Sequence, residues 1–184
     1  VPLASAVKAL HGLTKSAPKD QYEEPVMIQK GDAIPSVKVF KATAEGPQPV
    51  DTAELLGTGK SVVFAVPGAF TPTCSAKHLP GFVEKAGALK EKGIERVVCM
   101  SVNDAFVMNA WGETANADDI VMLADGNADF TKALDLEMDG TGYGMGKRSQ
   151  RFAMIVENGK VSDVFVEEPG AFEVSSAEHV LSKL

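Results

Sequence analysis

SVVFAVPGAFTPTCS, residues 61–75, decides the fold. Ser61–Val66 is an almost unbroken apolar run, the mark of a strand covered on both faces. Pro67, Gly68 and Pro72 then turn the chain out of that strand. From Ser75 to about Lys92, Leu79, Phe82, Val83, Ala86 and Leu89 recur along one helical stripe. Pro80-Gly81 is expected to kink or interrupt that helix, and Gly93 to stop it. A buried strand feeding a helix through a short loop is the start of a βαβ unit, and Cys74 falls at its junction.

The same alternation extends outward. Val37–Lys41, Arg96–Ser101 and Ile120–Ala124 read as strands. Asn103-Asp104 caps a helix running to about Trp111, and a short helix covers Asn127–Leu134. Asp139–Gly146 is a glycine-rich loop, and a strand begins by Lys147, with Ser149, Arg151 and Ala153 on one face and Arg148 and Gln150 on the other. Phe152–Glu157 and Lys160–Val166 form a hairpin through Asn158-Gly159, and Ser176 opens a last helix. Together these give one α/β domain with a mixed central sheet flanked by helices, over residues 26–184. Residues 1–25 differ: Lys8, Lys15 and Lys19 come before the first acid, Asp20, so this basic extension reads as a leftover organelle-targeting segment or a surface-docked terminus.

Composition narrows the function. With 184 residues, 45% of them hydrophobic, the chain builds its own core. No apolar run is long enough to span a membrane, and a net charge of -7 argues against nucleic acid or an anionic membrane surface as partner. Two cysteines, Cys74 and Cys99, and three scattered histidines exclude a disulfide-stapled secreted scaffold and a zinc cluster, so no metal is expected. Gly57-Thr58-Gly59-Lys60-Ser61 lacks the earlier glycine of a phosphate-binding loop, Glu54 standing in its place, so no nucleotide cofactor is expected either. A reducing compartment, cytoplasmic or organellar (mitochondrial included) and not secreted, fits this cysteine usage.

Cys74 is the residue on which chemistry can be built. The unpaired amides and the dipole at a helix start favour the thiolate, the reactive form of cysteine. A dithiol oxidoreductase would carry Cys-x-x-Cys here, but Thr71 takes the first position, where its hydroxyl can hydrogen-bond the sulfur and an oxygen substrate. His78, four residues on, reads as a packing or helix-surface residue, with a Cys-His hydrolase dyad as the rival reading. Cys99 lies in an apolar strand, where a core role is the default.

Pro67-x-x-x-Thr71-x-x-Cys74 resembles the active-site motif of the peroxiredoxins. PGAFTPTCS (67–75), HLPGF (78–82), SVNDAFV (101–107), KGDAIPSVKVF (30–40), RSQRFAMIVENGKV (148–161) and FEVSSAEHVL (172–181) are similar to the type II or atypical subfamily, found in plants, in bacteria and as the animal mitochondrial form. The likeness covers about residues 26–184.

The resemblance implies a thioredoxin-like fold and a peroxidatic cysteine, Cys74, whose thiolate reduces hydrogen peroxide or alkyl hydroperoxides and becomes a sulfenic acid. It implies that Thr71 orients the peroxide, that Pro67 shields the pocket from water, and that Arg151, immediately before Phe152, stabilises the thiolate and the developing charge. Arg148 reads as a solvated loop residue. Cys99 lies 25 residues after Cys74, matching the second cysteine of the plant-type members, and is a candidate resolving thiol. The alternative is direct reduction by an outside thiol: glutaredoxin, glutathione or thioredoxin. A homodimer is implied, with Phe70 and Phe106 as candidate contacts, and no cofactor. The competing class is a redox-signalling or binding module on the same scaffold with little turnover.

Overall fold

The computed structural model describes residues 26–184, so the basic extension at 1–25 lies outside the described residues. A seven-stranded mixed sheet runs in the order β2-β1-β5-β4-β3-β8-β9. Its centre is parallel: β3 (Lys60–Ala65), β4 (Ile94–Ser101) and β5 (Ile120–Ala124) are linked by crossovers through α2 (Leu79–Glu91) and α3 (Ala105–Thr114). β1 (Lys38–Thr43) flanks β5 antiparallel and folds back into β2 (Gly46–Asp51). On the other side β8 (Phe152–Glu157) runs antiparallel to β3 and turns into β9 (Lys160–Val166). Asn158 and Gly159 both take positive φ, 49° and 79°, as the predicted two-residue turn requires. Short helices α1 (Thr52–Leu55), α4 (Asp129–Ala133) and α5 (Ala177–Ser182) complete the layers.

Alternation along the central strands explains the three layers. Val62, Phe64 and Val66 of the β3 segment, with Val97 and Cys99 of β4, enter one core beneath α2, α3 and α5. Val63, Ala65, Val98 and Met100 enter the opposite core with Phe130, Leu134 and Met154.

Two expectations need correction. The sequence reading has no strand at β2, which carries Pro47 and Pro49; β2 is an edge strand, where a missing N–H costs no ladder bond. The strand expected to run from Lys147 through Arg151 is broken. β7 (Lys147–Ser149) pairs with β6 (Glu137–Asp139) in a separate two-stranded sheet, and Gln150 and Arg151 form a gap before β8. The alternation argument for Arg151 therefore does not apply; the gap, not the pleat, places it.

Candidate active site

Cys74 opens a five-residue π-turn, Cys74–His78, that runs directly into α2. The N–H of Leu79 reaches back to the Cys74 carbonyl, five residues away. The wide turn sits just ahead of Pro80, whose ring nitrogen has no proton for the helical ladder, so the expected interruption appears one turn early. π-turns inside helices concentrate at functional positions.

The loop before it is held from several sides. The Ala69 N–H donates to Asn103 Oδ1 at 2.9 Å, and Ser101 Oγ donates to the same oxygen at 2.6 Å. The Asp104 side chain, rather than Asn103, caps α3 by accepting from Val107 N–H. Phe70 takes a left-handed φ of 61°, uncommon for a side-chain-bearing residue, with its ring 6.5 Å from that of Trp111. Trp111 Nε1 donates to Ser75 Oγ at 3.0 Å, so α3 also fastens the first residue after Cys74. Trp111 is buried in the core, with this one polar tether. The Thr71 hydroxyl donates to the Gly68 carbonyl at 2.7 Å, not to the Cys74 sulfur, which corrects the expected geometry and leaves its lone pairs to accept. A Cβ on Gly68 would approach Thr71, Met145 and Arg148 Nη1 to about 3.1–3.2 Å, so glycine is what lets these groups close on the loop. Arg148 is not a freely solvated residue: it is half-buried, with Nε donating to the Met145 carbonyl at 2.9 Å.

Cys74 is fully buried, and its sulfur receives Arg151 Nη2 at 3.0 Å. Residues 77 apart in the chain thus meet at one atom. The other arm of the guanidinium, Nη1, lies 2.8 Å from His78 Nδ1. His78 is fully buried, which overturns its helix-surface reading, and its ring packs among Phe64, Phe82 and Phe172. Burial, and then the neighbouring Arg151 charge, lower its pKa to about 3. Both ring nitrogens are engaged, Nε2 with the Ser175 carbonyl at 2.9 Å, so His78 has no free nitrogen with which to act as base toward Cys74. Arg151 and the half-buried Pro67 also line a cavity of about 580 Å³, together with Thr73, Met138, Tyr143 and Glu168.

Cys99 shares the core cluster of Cys74 but sits mid-strand, opposite Phe64 of β3 and Met122 of β5. Burial pushes its thiol pKa well up, and proximity to Cys74 adds to this. Both thiols are free. The residues missed in the sequence are Asn103, Ser175, Glu167 and the buried role of His78. Only His78 carried a signal, its position four residues after Cys74. Among the described residues no cluster of side chains could hold a metal ion, and no helix is long and apolar enough to cross a membrane.

The Redoxin family matches residues 29–181. A chloroplastic protein of Oryza sativa subsp. japonica, Peroxiredoxin-2E-2, is 48% identical over 163 residues, covering 85% of this chain and 72% of its own. Peroxiredoxin-2B of Arabidopsis thaliana is 45% identical over 159 residues, covering 85% of this chain and 98% of its own. Among solved structures, reduced Prx3 of Vibrio vulnificus in complex with H2O2 superposes with a TM-score of 0.82 at 54% identity, covering 85% of this chain and 99% of that one.

Proposed function

The chain belongs to the peroxiredoxins, thiol-dependent peroxidases, and from that premise we propose that Cys74 is the peroxidatic nucleophile, with Arg151, Thr71 and Pro67 completing its site. The observation that carries this reading is Arg151 Nη2 at 3.0 Å from the Cys74 sulfur. A guanidinium there stabilises the thiolate, and charge-assisted donors of this kind are the strong ones. The thiolate attacks the terminal oxygen of the peroxide. A sulfur–oxygen bond forms, the oxygen–oxygen bond breaks, and the leaving oxygen departs as hydroxide or alkoxide, taking a proton from solvent to give water or alcohol. Charge passes from sulfur to the leaving oxygen, and a fixed guanidinium can follow it without reorganising. The Thr71 lone pairs accept from the peroxide hydroxyl, and Pro67 closes the cavity wall against water.

Substrates are hydrogen peroxide, as held by the Vibrio vulnificus relative, and alkyl hydroperoxides. The sulfenic acid at Cys74 is returned to thiol by an outside thiol: glutaredoxin with glutathione, or thioredoxin. Burial and the raised thiol pKa of Cys99 favour this route over a Cys74–Cys99 disulfide, because a strand-centred thiol is a poor nucleophile until the strand opens. The compartment is a reducing one, cytoplasmic or organellar.

One mass-spectrometric experiment tests the cycle. After one equivalent of peroxide, the Cys74 peptide carries the sulfenic acid, or its glutathione adduct where glutathione is added. An intramolecular Cys74–Cys99 disulfide as the main product overturns the outside-thiol cycle, and unmodified Cys74 beside oxidised Cys99 overturns the assignment of the nucleophile. The chain forms a homodimer through the face bearing Phe70 and Phe106, which are 52% and 70% exposed. Phe106→Glu then shifts the sedimentation coefficient to that of a monomer, and an unchanged dimer rejects that face.

A further inference from the structure

Arg151 sits in the gap between β7 and β8. Among the described residues, no carboxylate forms an ion pair with it. Apart from the Cys74 sulfur, its hydrogen-bonding side-chain partner is His78. The far side of the imidazole sets the direction of that bond. Nε2 faces the Ser175 carbonyl, which can only accept, so Nε2 carries the proton and Nδ1 offers its lone pair to Arg151. Ser175 is fixed in turn. Its N–H and its hydroxyl both donate to Glu167 Oε1, at 2.8 and 2.9 Å, and Glu173 N–H donates to the same oxygen at 2.6 Å. Glu167 is only 7% exposed, and its own N–H donates to the Arg151 carbonyl at 3.0 Å. The contacts close a circuit: Arg151 backbone, Glu167, Ser175, His78, Arg151 guanidinium.

We propose that His78 and Glu167 are positioning residues, which aim the Arg151 guanidinium at the Cys74 sulfur through the Ser175 carbonyl. This rests on the reading that Cys74 and Arg151 carry the chemistry. His78 takes one arm of the fork, which leaves the other for the sulfur. Glu167 gathers three donors on one oxygen and so holds the segment that presents the Ser175 carbonyl to the ring. Without them Arg151 keeps its charge but loses its aim.

The test uses the full chain and two readouts: the rate of Cys74 oxidation by hydrogen peroxide, and the pH profile of Cys74 alkylation by iodoacetamide, followed on the Cys74 peptide. Arg151→Met is the reference variant. His78→Phe keeps the aromatic packing and removes both hydrogen bonds. It is expected to slow peroxide reaction about 10-fold and to move alkylation to higher pH, as loss of a buried partner does. His78→Gln, whose amide supplies an acceptor and a donor, is expected to recover much of both. Glu167→Ala is expected to move both readouts in the same direction by less, and it decides the matter where His78→Phe fails to fold. Variants that shift the unfolding temperature but leave the alkylation profile in place overturn the proposal. If Arg151→Met moves both readouts while His78→Phe and Glu167→Ala move neither, positioning is rejected and the reading of the site stands. If Arg151→Met itself moves neither, the reading of the site fails.

Discussion

Cys74 and Cys99 are equally inaccessible, both at 0% exposure in one apolar cluster, yet their surroundings oppose each other. The strand around Cys99 spends its amides on the ladder to β3 and β5, with Phe64 and Met122 opposite it in register, and burial drives its thiol pKa up. The helix start around Cys74 is irregular, and a guanidinium from a distant gap reaches its sulfur. Exposure therefore does not distinguish the two thiols; the supply of donors to the sulfur does.

The strongest way to break the contrast is exchange at the sulfur. Cys74→Ser is expected to abolish peroxide consumption in a coupled assay, whereas Cys99→Ser keeps the first oxidation of Cys74 at its normal rate in single-turnover measurements. Next, removing the donor should make Cys74 resemble Cys99: Arg151→Met is expected to slow peroxide reaction about 100-fold, the usual cost of losing one preorganised charged donor.

The third effect is on stability. His78 titrates at about 3 when folded, against 6.5 when free. Below pH 6.5 the unfolded chain binds a proton that the folded chain refuses, so this group costs stability as pH falls from 6.5 toward 3 and nothing above that window. His78→Phe should flatten the acid-side decline in unfolding free energy by up to about 1.4 kcal/mol per pH unit. Asp125, whose pKa burial raises, contributes with the opposite sign but is common to both proteins and cancels in the difference. Fourth and smallest, Cys99→Ser places a hydroxyl among apolar groups and should cost about 1–3 kcal/mol by denaturant titration. Cys74→Ser, with Arg151 present to meet the oxygen, should cost less. Equal costs would mean that the two pockets are alike after all.

Much of this was legible from the chain. The apolar runs at 61–66 and 96–101 and the Asn158-Gly159 turn state β3, β4 and the β8–β9 hairpin directly, because buried strands and two-residue turns leave little sequence freedom. Cys74 stood out because it falls between a proline-rich loop and a helix start, a place where local sequence favours a thiolate. What escaped depends on long-range closure. His78 and the Ser175 carbonyl are 97 residues apart, and no local periodicity reports that a loop folds back to present a carbonyl. The break at Gln150–Arg151 escaped because alternation was extended through residues that belong to two different sheets.

That break also separates two design problems. On its upstream side, β6, β7 and the 140–146 loop carry Met138 and Tyr143 to the cavity rim. Downstream, β8 and the bond from Glu167 N–H to the Arg151 carbonyl hold the charge. A grafted or lengthened loop is therefore expected to reshape the rim while the guanidinium keeps its place, so the two sides of the cavity can be altered separately.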